Sequence, residues 1–234
     1  DTGPQHRSRR LVVMSTDPGT TNGLYRVRVR LPDEPGALAG LTAALAQVRC
    51  NILALSVHGQ DAHSVVDELL ATPVRTEEVR TQAPSAPGLY AWWAPPAILP
   101  ELVGPAHSTV PDLRLLYVGL ATKLRSRLAS NHLRRSGSST LRRTLAGLLL
   151  DEQGYRTCWT DRVVLVDDDE ARLTEWMGDN LRVSWCQYPT PHEVEAHIIG
   201  ILHPPLNVDH AAGPALQVVK AARRHYYDSA GPRP

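Results

Sequence analysis

Between residues 81 and 88 the chain runs Thr-Gln-Ala-Pro-Ser-Ala-Pro-Gly, and this stretch divides the sequence into two differently patterned parts. Pro84 and Pro87 have no backbone N–H to donate, and each biases the residue before it towards extended conformations. Neither a helix nor a sheet ladder is expected to run through them, so the stretch reads as a linker between two domains. The 234 residues suffice for two small cores, and 42% hydrophobic with 21% charged residues is the balance of a folding chain rather than a disordered one.

Upstream of the break, residues 24–31 alternate, with Tyr25, Val27 and Val29 on one side and Arg26, Arg28 and Arg30 on the other, as in a half-buried strand. Asp33-Glu34-Pro35-Gly36 ends it, and Leu38, Leu41, Leu45 and Val48 recur at helical spacing. Residues 52–57 and 64–70 read as two further strands around a Gly59-Gln60-Asp61 turn. The order strand, helix, strand, strand, with D-E-P-G-A-L at the first turn and Asn51-Ile52 opening the second strand, resembles an ACT domain over residues 24–72. That resemblance implies an amino-acid effector held near Asp33, Gly36, Leu38, Asn51 and Ile52, since backbone N–H groups at a helix N-terminus suit a carboxylate. It also implies pairing through sheets into a homodimer. After Thr72-Pro73 only residues 77–82 offer a second helix and no fourth strand follows, which favours a structural or dimerising remnant over a working effector site.

Positive charge is concentrated. From 113 to 150 there are eight basic residues (Arg114, Lys123, Arg125, Arg127, Arg134, Arg135, Arg142, Arg143) and no acid, leaving 17 basic against 24 acidic residues elsewhere. Such a segment suits a phosphate-bearing partner. No run approaches the roughly 20 apolar residues of a membrane span, so a cytoplasmic protein without membrane contact is expected. Three cysteines, Cys50, Cys158 and Cys186, lack paired spacing and read as reduced, buried thiols.

Downstream of the break, Gly88-Leu89-Tyr90-Ala91-Trp92-Trp93 and Leu115-Leu116-Tyr117-Val118-Gly119 are two short strands, each presenting a tyrosine. Thr122 is placed to cap a helix over 123–133, with Leu124 and Leu128 as its apolar seam and Arg127 on one flank. His132 lies roughly 140° from Arg127 on a regular helix, and joins it only if the helix ends or distorts. Thr190-Pro191-His192-Glu193 opens another helix, with Glu193 at the capping-box position. Val194, Ile198, Ile199, Ile201 and Leu202 share one face of it, and Glu195 projects within the same arc. A carboxylate on an apolar face needs a metal, an arginine or a raised pKa.

These positions together, with Asn207 twelve residues after Glu195 and beyond Pro204-Pro205, resemble the GIY-YIG nucleases over residues 87–210. The namesake motifs differ only by Leu89 and Val118 in place of isoleucine. The resemblance implies catalytic roles for Tyr90, Tyr117, Arg127, His132, Glu195 and Asn207, with Glu195 holding Mg2+ or Mn2+ and either His132 or Asn131 taking the position of a family histidine. Lys123, Arg125, Arg134, Arg135, Arg142 and Arg143 would then track a nucleic-acid backbone, DNA being the first expectation. His192, His197, His203 and His210 match no zinc spacing and read as surface residues.

The expected fold class is α+β: an ACT-like βαββ unit over 23–80 followed by a small mixed β-sheet flanked by helices over 88–212. A tail over 1–22, the 81–87 linker and a C-terminal helix or tail over 213–234 complete the division. A metal-dependent endonuclease is the functional expectation, and the rival is an amino-acid-sensing regulator that binds nucleic acid without cutting it.

Overall fold

The computed structural model describes residues 36–47, 62–102, 104–208 and 213–233, and the chain divides into two compact units, Asp1–Val57 and His58–Pro234. In the first unit the helix expected from Leu38, Leu41 and Leu45 is α1 (Ala37–Gln47), with those three leucines half-buried and Gly36 exposed. The strands expected over 24–31 and 52–57, and the effector positions Asp33, Asn51 and Ile52, lie outside the described residues.

The second unit runs α2 (Ala62–Leu69), β1 (Val74–Arg75), a 3-10 turn (Thr76–Glu78) into α3 (Val79–Gln82), β2 (Gly88–Ala94), β3 (Arg114–Ala121) and α4 (Leu124–Ser126), which continues as a π-helical turn (Arg127–His132). Then come α5 (Thr140–Leu148), α6 (Leu150–Gln153), β4 (Thr157–Trp159), β5 (Val163–Leu165), α7 (Asp167–Asn180), β6 (Arg182–Gln187), α8 (Pro191–Leu202) and α9 (Gly213–Asp228). The main sheet has the order β1-β6-β2-β3 and is antiparallel throughout, so the mixed sheet expected from sequence is corrected while the α+β class stands. β4 and β5 form a separate antiparallel pair.

Alternation along β2 explains the layering. Its seven residues are all buried, with Tyr90 and Trp92 packed towards α5, α7 and α9, and Leu89, Ala91 and Trp93 packed towards α2 and α8. A strand buried on both faces needs apolar residues at every position, and Leu-Tyr-Ala-Trp-Trp supplies them. The outer edge of β3 is covered rather than left open: Leu115 N–H donates to Pro105 O at 2.9 Å and Leu206 N–H to Leu116 O at 3.0 Å.

Two sequence expectations are corrected here. Residues 64–69 lie in helix α2 rather than a strand: Val65, Val66 and Leu69 are buried while Asp67 and Glu68 are exposed, a period near 3.6 rather than 2. Ser184 Oγ fixes the end of this helix by donating to Leu69 O at 2.5 Å, and Trp93 Nε1 donates in turn to Ser184 Oγ at 2.8 Å. The stretch read as a linker, 81–87, is pinned to this unit. Ala83 is fully buried, and the carbonyls of Pro84, Ala86 and Pro87 accept from the backbone N–H groups of Arg125, Leu124 and Tyr188 at 3.0, 3.0 and 3.1 Å. No helix among the described residues is long and apolar enough to cross a membrane.

Candidate active site

The register of β2 against β3 sets Tyr90 opposite Gly119 and Trp92 opposite Tyr117, so both tyrosines share one face of the sheet, with ring centroids 6.3 Å apart. The two glycines of the strand motifs are there for space. A Cβ on Gly119 would lie 2.5 Å from Tyr90 Oη and 2.9 Å from Tyr117 Cε1, and one on Gly88 would meet Cys186 O at 2.1 Å. The first contact would displace a phenol; the second would break the β2–β6 ladder.

The helix after β3 does distort. Lys123, not Thr122, occupies its N-cap, and the turn Arg127–His132 is π-helical, with Leu133 N–H donating to Leu128 O at 3.2 Å. Hydrogen bonds of this i→i+5 type stack residues five apart, which places His132 beneath Arg127 rather than on the opposite flank. His132 Nε2 lies 2.6 Å from Tyr90 Oη, and Arg127 Nε donates to that same oxygen at 3.3 Å. Arg127 is steadied by a second bond, Nη1 to Ser138 O at 3.1 Å. On its far side His132 Nδ1 lies 2.7 Å from Ser139 Oγ, which also accepts the Arg142 backbone N–H at 3.0 Å as the N-cap of α5.

Burial dominates the electrostatics. It holds the Tyr90 phenol well above its ordinary pKa; Tyr117 adds to the rise, Arg127 opposes it and Glu195 adds a smaller push upward. Tyr117 is also raised by burial, lowered by Arg127, raised by Glu195 and lowered by Arg223. Glu195, Arg127 and Arg223 therefore act on one pair of phenols. His132 is held well below its ordinary pKa by burial, reinforced by Arg127 and Arg142, and stays neutral. The sign for stability follows: below about pH 6.5 the unfolded chain binds a proton at this histidine and the folded chain does not. Thermal stability is therefore expected to fall as pH drops below about 6.5 in the wild type, and to fall less steeply in His132→Gln. Equal pH slopes for the two proteins would contradict it.

Glu195 is half-buried on α8, beside Val194, Ile198, Ile199 and Leu202, which are buried. Ile201, expected on the same face, is 37% exposed and belongs to the solvent side. Thr190 is the N-cap, but its hydroxyl donates to Glu193 Oε2 at 2.9 Å instead of capping the backbone. Asn207 faces the edge of β3 and clamps one residue from both sides: Oδ1 accepts Val118 N–H at 2.9 Å and Nδ2 donates to Val118 O at 2.7 Å. It holds the strand that carries Tyr117.

Residues 88–224, more than half the chain, match the model of the GIY-YIG catalytic domain. The chain belongs to the GIY-YIG family. Residues 25–83 match the ACT domain, so the ACT match overlaps α2, β1 and α3, which lie in the second compact unit. No curated protein and no solved structure matches the chain.

Among the described residues no group of three or more His, Cys, Asp or Glu side chains gathers as a metal cage. The GIY-YIG centre instead has Glu195 in the field of two phenols, and a carboxylate completed by water and phosphate oxygens is the donor set of a hard divalent cation. The residues present fit such an ion.

Of the six cations expected along a nucleic-acid track, Lys123, Arg125, Arg134 and Arg135 are exposed. Arg142 is not available and is corrected: it is fully buried, with Nε donating to Glu170 Oε2 at 2.9 Å, Nη1 to His132 O at 3.2 Å and Nη2 to Glu170 O. Arg143 is half-buried and spent on Ser136 O, Gly137 O and Thr140 Oγ1 at 2.7, 3.2 and 3.2 Å. Of the four histidines, His192 is exposed, His197 half-buried, and His203 closes α8 in a left-handed conformation; His210 lies outside the described residues.

Three residues near the centre escaped the sequence reading. Ser139 was legible as an N-cap, since it precedes the apolar spacing of Leu141 and Leu145, but not as a partner of His132. Glu170 and Arg223 carried no local signal. Arg223, on α9, donates from Nε to the buried Thr144 Oγ1 at 2.8 Å.

Proposed function

We propose that this protein is a divalent-cation-dependent endonuclease modulated or dimerised through its ACT part. The observation that carries the reading is the Tyr90 oxygen, approached by both His132 Nε2 and Arg127 Nε, within the field of Glu195. A divalent cation held by Glu195 would supply Lewis-acid stabilisation of charge on the scissile phosphate.

The chain's own part turns on a proton count. Ser139 Oγ is fully buried and accepts a hydrogen bond from Arg142 N–H, so its own hydrogen is left for His132 Nδ1. Neutral His132 then carries its proton on Nε2 and donates it to Tyr90. Two donors, His132 Nε2–H and Arg127 Nε–H, converge on the phenol oxygen and partly offset the burial that raises its pKa; the phenolate they stabilise takes the proton of the attacking water. Before it can act so, Tyr90 gives its own proton to a water of the substrate cleft, on the side away from His132, and that water passes it to solvent. Arg127 also faces developing negative charge, where a planar fork exceeds a lysine. Tyr117 orients water or phosphate, and Asn207 holds the β3 backbone.

In this reading His132 is a donor, not a base, and one substitution tests it. Ser139→Asp keeps an N-cap acceptor for α5, but a carboxylate accepts from Nδ1–H and so leaves Nε2 bare towards Tyr90. The buried carboxylate lowers the melting temperature, so activity is compared on the folded fraction, where cleavage is expected to drop about 10²-fold, and nitrogen NMR of His132 should report the exchanged tautomer. Full activity with the exchanged tautomer would refute the donor role.

For the function itself, plasmid DNA and RNA are incubated with Mg2+ or EDTA, and nicking is expected with Mg2+ alone. A wild type that binds nucleic acid but cuts no substrate leaves the regulatory reading in its place. Thermal shifts with a panel of free amino acids test the effector part, and no shift with any of them removes it.

A further inference from the structure

A second feature of the surface lies beside the catalytic centre. A concavity of about 350 Å³ is lined by Arg80, Lys123, Arg125 and Arg134, with Ser85, Ser126, Ser130 and Ala129 between them. Four of its eight lining residues are cations and none is an acid. No carboxylate lies at ion-pair distance from any of these cations among the described residues. Gathering four like charges around one hollow is unfavourable until an anion enters it.

The hollow is built, not fortuitous. α3 and the 83–87 segment form one wall, the α4 helix and its π turn the other, and backbone bonds tie them: Arg125 N–H to Pro84 O at 3.0 Å and Leu124 N–H to Ala86 O at 3.0 Å. Arg125 Nε donates to Ala83 O at 2.7 Å, which fixes the side chain and leaves its two terminal nitrogens for another acceptor. The spacing Lys123, Ser126, Ser130, Arg134 puts cations at the two ends and small hydroxyls between, so an anion can come close to the floor. Arg127, next to Ser126, leaves the same helix in another direction and reaches Tyr90.

We infer that this hollow seats the sugar-phosphate backbone of the nucleic-acid substrate a few nucleotides from the bond that is cut, with Arg80 as a contact outside the catalytic domain. The inference rests on the nuclease reading for its substrate class. A helix is about 10 Å across, so the seat and the Tyr90 oxygen are separated by roughly three nucleotides at about 3.4 Å rise per strand. Arginine forks and serine hydroxyls recognise phosphate without reading bases, so the seat sets register and affinity rather than sequence.

The test reads binding without cleavage, by fluorescence anisotropy of short labelled DNA and RNA oligonucleotides in EDTA over a salt series. Arg80→Glu is compared with Arg233→Glu, the same change of net charge outside the hollow; Arg80→Gln stands in should Arg80→Glu melt early. Arg80→Glu is expected to bind about tenfold more weakly, with the logarithmic salt slope shallower by about 0.9 on duplex or 0.7 on single strands per lost phosphate. Arg233→Glu is expected to stay near wild type. Equal weakening by both charge reversals, no weakening by either, or competition by poly-glutamate as strong as by unlabelled oligonucleotide each overturns the seat. A wild type that binds through Arg80 but never cuts with Mg2+ overturns the nuclease reading and leaves the seat standing. A wild type that cuts while Arg80→Glu binds unchanged does the reverse.

Discussion

Glu195→Gln is expected to lower Mg2+-dependent cleavage by about 10³-fold or more while leaving the fold intact. The change removes one charge and almost no volume, and the neighbours that seat α8, Val194, Ile198, Ile199 and Leu202, keep their burial. A cation's stabilisation of phosphate charge amounts to several kcal/mol, and about 1.4 kcal/mol is a factor of ten in rate. The electrostatics make the result diagnostic. Glu195 raises the pKa of both Tyr90 and Tyr117, so its neutralisation alone would help a phenol ionise and favour catalysis. A loss of activity therefore reports the missing cation site. Mg2+ should also raise the melting temperature of the wild type and not of the variant, and cleavage by Glu195→Gln at near wild-type rate would refute the assignment.

Arg142→Ala is expected to cost about 3–5 kcal/mol of stability, the usual penalty for removing one partner of a buried ion pair. The guanidinium is fully buried and holds together three elements: Glu170 on α7, His132 on the π turn and its own helix α5. Without it the Glu170 carboxylate keeps, among the described residues, only Ser136, whose N–H and Oγ–H donate to Oε1 at 2.7 and 2.5 Å, and the His132 carbonyl loses the Arg142 donor. Arg142→Met fills the volume, and paired with Glu170→Gln it removes the uncompensated charge, so the double variant should recover most of the loss in a chemical denaturation curve. A single Arg142→Ala within about 0.5 kcal/mol of wild type, the effect of an ordinary surface substitution, would contradict the structure. Cleavage should suffer as well, since His132 is placed by this network.

Much of the catalytic layer was legible. Glycine at 88 and 119, tyrosine at 90 and 117 and the capped helix of Glu195 are local patterns; the structure brings the two tyrosines to one face of one sheet, while the apolar face of the Glu195 helix packs on the other. What escaped was long-range or conformational. Arg142 looks like any other member of a basic run, because its partner Glu170 is 28 residues away. Residues 64–70 combine two adjacent valines with two acids, a composition that suits a strand as well as a helix; only packing against β6 and α8 decides. Pro84 and Pro87 do interrupt regular structure, but a break in regular structure is not a flexible tether when the carbonyls of Ala83, Pro84, Ala86 and Pro87 all find donors. Asn207 was legible as a position and not as a clamp on Val118.

The π turn has a bearing on how such chains are compared. Counting from Arg127, the residue four positions on is Asn131 and the one that meets Tyr90 is His132. An extra residue in a helix is absorbed locally by one wider turn, leaving everything downstream in place. Columns aligned without gaps would thus pair Asn131 with another protein's histidine, although the imidazole that meets Tyr90 lies one place further along the chain. A fixed spacing of four from Arg127 therefore misses the imidazole that the π turn carries to Tyr90.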